Sequence, residues 1–227
     1  MVVAAVGAAM CLVTATDAPA KDKKGSKKAK TSQVAAAEKD AHQHDHGSAK
    51  QGDGGGADMT EFWALMSPGE GHKLLEPFIG QWDVVTRMRM APDQEWMESV
   101  GTSDISWAFG GRYLVERVKA VTMGLPFEGL GYTGYDNFRK EYVGLWLDNM
   151  STAPMTSRGS VDETGKKFTY KSKADDVMTG RKDVEIRVVL TVVDKGHITM
   201  EMHSPDVSGK PFLSMTIKYK RRPTNEG

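Results

Sequence analysis

The residues best suited to ligand chemistry lie on one predicted strand and its neighbours. Trp146, Asp148 and Met150 alternate with other residues, so in a strand their side chains share one face. An indole, a carboxylate and a thioether together could bind a molecule that has an apolar body and a polar group. The candidate ligand-binding residues are Tyr135, Trp146, Asp148, Met150, Met155 and Thr156.

The sequence leaves two questions about this strand open. The pattern does not say whether the Trp146 face points into the domain, and an inward Asp148 would need a partner or a shifted pKa. A simpler role for Asp148 is to cap the turn that begins at Asn149. Methionine is also frequent, with 14 in 227 residues, but core packing explains this as well as ligand contact does.

Histidine gives weaker indications of a metal site. His42, His44 and His46 place three imidazoles within five residues, a composition that could hold Zn, Cu or Ni. We expect only incidental binding there, because the surrounding segment offers no fixed geometry. His197 and His203 share one register of a predicted strand, and both would face solvent if the methionines between them face the core. The sequence therefore predicts no cofactor.

Motifs of the common enzyme classes do not occur in the sequence. It has no Gly-x-Ser-x-Gly, no phosphate-binding loop and no His-Glu-x-x-His. Glu70 and His72 are close in sequence, but no serine or cysteine nucleophile pairs with them in a known pattern. We therefore favour a noncatalytic protein. An enzyme that acts on a small apolar molecule, with Asp148, Tyr135 or His72 as its titratable group, is the alternative.

The elements that must position these residues show a hydrophobic period of two from Gln81 onward. Ten such segments follow one another, separated by Gly, Pro, Asn or Asp turn residues. Consecutive strands leave two open edges unless the sheet closes on itself. The pattern predicts an all-β domain, an antiparallel up-and-down barrel behind a short helix near Leu74 and Phe78. A two-sheet sandwich is the alternative.

Composition divides the chain into four parts. An apolar start that ends in Ala18-Pro19-Ala20 predicts a signal peptide cleaved after Ala20, and hence export to the periplasm or the exterior. The only cysteine, Cys11, lies within it. The next segment has one β-branched aliphatic residue, Val34, and should be disordered. We predict a signal peptide at 1–20, a linker at 21–58, the barrel domain at 59–222 and a tail at 223–227.

The charge distribution argues against nucleic acid as a specific partner. The chain has 30 basic and 30 acidic residues, and the two signs alternate through the predicted domain, so no specific nucleic-acid-binding face is indicated. The exception is the stretch from Lys21 to Lys30, in which six lysines accompany one acidic residue. This stretch could contact an anionic surface weakly, although a solvated tail explains it more simply. The pattern gives no oligomeric state.

The first strand carries the most specific motif. Gly80-Gln81-Trp82, directly after the predicted helix, resembles the Gly-x-Trp opening of lipocalins and their calycin relatives. This resemblance implies that Trp82 plugs the closed end of a barrel. It also implies that the Trp82 ring stacks on a cation from the last strand, Arg221 or Arg222.

Six runs in the predicted domain carry a second resemblance. They are residues 68–75, 78–82, 110–114, 127–131, 133–137 and 178–180. In these runs the chain resembles an uncharacterised, mainly bacterial family, domain of unknown function 1579, which implies the fold and no activity. The sequence therefore favours an exported, noncatalytic barrel that binds a small hydrophobic or amphipathic ligand. The alternatives are an enzyme and a solid barrel that acts as a structural or interaction module.

Overall fold

A computed structural model describes residues 59–177 and 179–223. The helices in this part are α1 Met59–Met66 and α2 Glu70–Lys73, followed by a 3-10 turn at Glu76–Phe78. The strands are β1 Gly80–Met88, β2 Met97–Ala108, β3 Tyr113–Thr122, β4 Leu125–Asp136, β5 Glu141–Asp148, β6 Met155–Val161, β7 Lys167–Asp176, β8 Arg181–Val192, β9 His197–Pro205 and β10 Pro211–Arg221. The predicted signal peptide, the linker with its lysine and histidine runs, and residues 224–227 lie outside the described residues.

The strands form a closed barrel. Each strand pairs antiparallel with the next one, and β10 returns to pair with β1. The closing ladder runs from the Trp82–Arg221 pair to the Met88–Met215 pair. The predicted up-and-down barrel behind a short helical segment is therefore confirmed, and the two-sheet sandwich is wrong. Closure leaves no strand edge along this ladder for another chain to extend.

The period of two sorts the side chains into an interior and an exterior face. In β8, Val188 and Leu190 are buried whereas Glu185 and Arg187 are exposed. The methionines of β9 also point inward, as Met200 shows with 1% of its surface exposed. None of the helices in the described part is long and apolar enough to cross a membrane.

Aromatic side chains fill the end of the barrel that α2 and the 3-10 turn cover, here called the helix-capped end. The ring centroids of Phe78 and Phe168 lie 5.3 Å apart, and those of Phe168 and Tyr142 lie 5.0 Å apart. The hydroxyl of Tyr142 donates a hydrogen bond to the carbonyl of Gly71 at 3.0 Å. These contacts hold α2 against the core. The turns β1–β2, β3–β4, β5–β6, β7–β8 and β9–β10 form the opposite end, the hairpin end.

Trp82 and Arg221 join the first and last strands at the helix-capped end. Trp82 is fully buried, and the guanidinium carbon of Arg221 lies 4.1 Å from its ring centroid. Trp82 Nε1 donates a hydrogen bond to the carbonyl of Phe78 at 2.9 Å. The guanidinium group also donates hydrogen bonds to the carbonyls of Pro77, Ile79 and Lys195. Arg221 is therefore the cation that the lipocalin resemblance implies, whereas Arg222 pairs with the exposed Asp83.

The β7–β8 hairpin extends past both neighbouring strands at the hairpin end. The last paired residues are Ser157–Ser172 in the β6–β7 ladder, Arg187–His203 in the β8–β9 ladder and Asp176–Arg181 in the β7–β8 ladder. We call the projecting residues, 173–177 and 179–186, the flap. Arg181 holds the flap to the β9–β10 hairpin by donating a hydrogen bond to the carbonyl of Asp206 at 2.8 Å.

Replacing Arg221 with alanine should lower the free energy of unfolding by about 2–4 kcal/mol, because the Trp82 ring loses its cation and three carbonyls lose a charged donor. Arg222→Ala is the matched control. Its ion pair is exposed, so we expect a change of at most about 1 kcal/mol. Urea denaturation followed by tryptophan fluorescence measures both values. Equal losses in the two variants would contradict the role given to Arg221.

Candidate ligand-binding site

Trp146 points into the barrel. Its side chain is 2% exposed and packs against Gly129 and Gly131 of β4. A Cβ atom at Gly129 would overlap the indole ring, so the absence of a side chain lets the ring lie against the strand. Met155, the partner of Trp146 on β6, is also buried. The two side chains form an apolar cluster in the half of the barrel near the hairpin end.

Asp148 follows Trp146 on the same interior face, and both of its carboxylate oxygens accept hydrogen bonds. One accepts from Trp146 Nε1 at 2.8 Å. The other accepts from the backbone N–H of Met150 at 2.9 Å and so caps the β5–β6 turn. The carboxylate thereby links the orientation of the indole ring to the turn. The simpler role considered for Asp148 is present in the structure.

The structure does not bring all six predicted residues together. Trp146, Asp148, Met150 and Met155 lie near the hairpin end, where Met150 packs against the core. Tyr135 lies at the helix-capped end, with its ring centroid 5.9 Å from that of His72. Thr156 is exposed on the outer surface. A role of these six residues in ligand binding stays a prediction.

Glu116 on β3 is an interior acid that the sequence reasoning missed. It is 1% exposed, and its Oε1 accepts hydrogen bonds from Ser103 Oγ at 2.8 Å and from the Tyr219 hydroxyl at 3.4 Å. Its Oε2 makes no hydrogen bond to any described residue. Burial raises the pKa of Glu116, and the two hydrogen bonds oppose that rise. Its place between Leu114 and Val118 at the interior spacing of two is the signal that could have revealed it.

Two serines on neighbouring strands add further interior polar atoms. Ser157 and Ser172 are directly paired across β6 and β7 and are 4% and 5% exposed. Neither hydroxyl makes a hydrogen bond to a described residue. Ser157 follows Met155 on the interior face, and Glu116 lies opposite Gly131, against which Trp146 packs. Trp146 therefore lies between the buried acid and the buried hydroxyls.

His72, which was named from the sequence, and the nearby Tyr142 make structural contacts. His72 is buried, and its Nδ1 accepts a hydrogen bond from the backbone N–H of Gly69 at 3.1 Å. Burial and the charge of Arg112 lower the pKa of His72. Burial, with Tyr135 nearby, raises the pKa of Tyr142 to about 12. Within residues 59–177 and 179–223, no group of three or more His, Cys, Asp or Glu side chains is placed to hold a metal ion.

A groove of about 1010 Å³, lined mainly by outward-facing side chains, lies along strands β5 to β9. Its cationic and imidazole side chains come from four strands, and they are Arg158, Lys171, Lys173, Arg187 and His203. His203 faces outward with His197, while the methionines between them face the core. The groove also includes the exposed carboxylate of Glu185. Trp146 and Glu116 are not among its lining residues, but Ser157 and Ser172 are, so the groove borders the interior polar group at these two serines.

Comparison with known proteins identifies the family. The family model described as "Protein of unknown function (DUF1579)" matches residues 67–221. The chain is also similar to the crystal structure of Rv2717c from M. tuberculosis, with a TM-score of 0.52 and 14% identity over 69% of this chain and 100% of that chain. At that identity the similarity shows the fold alone. No curated protein matches the chain significantly. Because the family model spans well over half of the sequence, the chain belongs to the DUF1579 family.

Proposed function

We propose that the barrel binds a small hydrophobic or amphipathic molecule in its interior, near the hairpin end. One observation carries the proposal: Glu116 Oε2, Ser157 Oγ and Ser172 Oγ are buried interior atoms that make no hydrogen bond to the described residues. A ligand with polar groups on either side of Trp146 would supply their partners. Its apolar part would then contact Trp146 and Met155.

The energetics favour a binding role over simple core packing. A buried polar atom without a partner destabilises a protein by about 1–3 kcal/mol. Three such atoms would remove a large part of the free energy of unfolding of a domain, which is on the order of 5–15 kcal/mol in total. Apolar residues of similar size at these positions would avoid that loss, so their polarity is better explained by something that binds to them.

The chemistry of the three groups restricts the head group of the ligand. A serine hydroxyl can donate one hydrogen bond and accept others. Burial raises the pKa of Glu116 and so favours the protonated acid, which donates through one oxygen and accepts through the other. Ser157 and Ser172 carry no charge, so the site best fits an uncharged head group such as an alcohol or an amide.

A ligand could enter the interior only if a segment of the barrel moved outward. The flap is the segment best placed to do so. Its residues pair across β7 and β8, while the ladders to β6 and β9 end at its base. Ser157 and Ser172 are the last pair of the β6–β7 ladder, directly beside this base. Outward movement of the flap would therefore open the barrel next to the two hydroxyls.

A second candidate function is acid–base catalysis on the bound molecule. It is favoured by the convergence of two titratable groups, since the Tyr219 hydroxyl lies 3.4 Å from Glu116 Oε1. A paired carboxylic acid and phenol could move a proton on a substrate that reaches them. Turnover of a retained ligand, lost in Glu116→Gln while binding persists, would favour this candidate over binding alone.

The binding proposal can be tested with dansyl-labelled undecanol as the fluorescent probe. The wild-type protein should bind it with energy transfer from tryptophan to dansyl. The double variant Ser157→Ala/Ser172→Ala should bind about tenfold more weakly, which corresponds to about 1.4 kcal/mol. The same variant should unfold with a free energy about 1–2 kcal/mol higher, because two buried groups without partners are gone. Ser160→Ala, an exposed position on the same strand, should change neither quantity.

One combined result of this experiment would contradict interior binding. A wild-type protein that takes up no probe, and that native mass spectrometry shows to be empty when purified, would contradict interior binding. The solid barrel would then be the better description. Loss of stability in the double variant would show instead that the two hydroxyls have structural partners.

Glu116 predicts a particular dependence of stability on pH. Below the ordinary value of 4.5, the acid is protonated in both folded and unfolded chains. As the pH rises, the unfolded chain ionises first, and the folded chain keeps its proton until the raised pKa is reached. The free energy of unfolding should therefore fall through this window, by about 1.4 kcal/mol for each unit of elevation.

The variant Glu116→Gln removes this titration and keeps the shape of the side chain. Urea denaturation between pH 4 and pH 9 should show that its stability relative to the wild type rises with pH. Glu163→Gln, at an exposed turn position, should follow the wild type throughout. A constant difference between Glu116→Gln and the wild type would show that burial does not raise the pKa of Glu116.

Flap movement should control the rate of binding rather than its strength. Arg181→Ala removes the hydrogen bond to the carbonyl of Asp206 and the ion pair with Asp176, which is 3.1 Å long. Stopped-flow mixing should show that dansyl-undecanol associates and dissociates several-fold faster with this variant, with a Kd within about threefold of the wild type. Lys182→Ala, its exposed neighbour, should leave both rates unchanged. Unchanged rates in Arg181→Ala would exclude the flap as the entry route.

A further inference from the structure

We propose that the outer groove is a second binding site, one that takes a phosphate-bearing small molecule. Ser157 and Ser172 also border the groove, but this proposal rests on the outward-facing cations, which play no part in interior binding. Arg158, Lys171, Lys173 and Arg187 provide four formal positive charges to the groove, and Glu185 provides one negative charge. The groove volume of about 1010 Å³ is at the upper end of the range for small-molecule sites.

The cations of the groove are placed next to one another by the strand register. Lys171 on β7 lies directly opposite Arg158 on β6 and directly opposite Arg187 on β8. Like charges in such positions destabilise a sheet by roughly 0.2–1 kcal/mol per pair. A row of three neighbouring cations is therefore unfavourable for folding, and an anion that bridges them would reverse the effect.

The acidic residues of the described structure neutralise this row only in part. Arg158 forms an ion pair with Glu141. Lys171 and Arg187 form no ion pair within 4.0 Å with any residue in the described ranges. Both of these cations are exposed and point outward into the groove. They are therefore available to a ligand.

The imidazole of His203 extends the same row on β9. His203 lies opposite Arg187 on β9, and its Nε2 is buried without a hydrogen bond to the described residues. The carboxylate of Glu201 is 3.6 Å away, beyond hydrogen-bond distance. Because this nitrogen is buried, ligand binding along the row rests on the cations alone.

The spacing of the strands favours phosphate groups. Neighbouring strands are about 4.8 Å apart, so the row from Arg158 to Arg187 spans about 10 Å. Guanidinium groups bind phosphate oxygens in pairs, and lysine between them adds a point charge. The groove also has apolar surface from Val143, Pro205 and Pro211, which would contact the uncharged part of a phosphate ester.

The test uses pyrophosphate and calorimetric titration of the full chain. Wild-type protein should bind pyrophosphate, and Lys171→Gln/Arg187→Gln should bind it at least tenfold more weakly. The control is Arg117→Gln/Lys119→Gln, which removes the same charges from two exposed positions on β3. It should weaken binding less than twofold. The groove variant should keep its Tm or raise it, because adjacent like charges are removed, so weaker binding would not reflect unfolding.

Two further measurements define the ligand class. Citrate should bind at least tenfold more weakly than pyrophosphate, and equal affinity would overturn the phosphate assignment. Phosphatidylglycerol vesicles that sediment the wild type but not the groove variant would identify the phosphate source as a lipid head group, while binding of pyrophosphate without vesicle binding would identify a soluble ester. Absence of heat with wild-type protein, or equal weakening in the groove and control variants, would overturn the site.

Discussion

The pairing of β1 with β10 brings together strands from opposite ends of the folded domain. Such pairing carries a large loop-closure entropy, so it must be held by strong local contacts. Arg221 provides them, because its guanidinium group stacks on Trp82 and donates to three backbone carbonyls in the surrounding turns. The helix-capped end is thereby held by a stacked cation and three charged hydrogen bonds. Every interior side chain takes its position from the register that this closure imposes.

The two ends of the interior differ in chemistry. At the helix-capped end, aromatic rings pack on one another, and Tyr142 ties α2 to the core. Toward the hairpin end, small residues and methionines accompany the polar atoms of Ser157 and Ser172, and the strand ladders end at the flap. This division is compatible with the proposed binding role, because the buried polar atoms without hydrogen-bond partners lie near the end where the ladders stop.

Much of the fold could be predicted from the sequence, and less of the site. Period-two alternation predicts the strands because each has one buried face and one exposed face, and Gly80-Gln81-Trp82 marks the first strand. The grouping of Trp146, Asp148, Met150 and Met155 follows from the same alternation. Tyr135 and Thr156 lie elsewhere. Their positions were not predicted, because residue type reveals neither the cross-strand register nor which side chains point outward. Glu116 was missed because an acid at an interior position contradicts the usual pattern.

The sequence by itself determined the strand order, the turns between strands and the family, because these depend on local hydrophobic periodicity and short motifs. Only the tertiary structure decided that the Trp146 face points inward, that Arg221 rather than Arg222 stacks on Trp82, and that Arg158, Lys171 and Arg187 form one row. Each of these depends on the register between strands. The closure of the whole barrel sets this register. A shift of one residue in a ladder would change every cross-strand neighbour at once, so the register cannot be predicted from any one segment of the sequence.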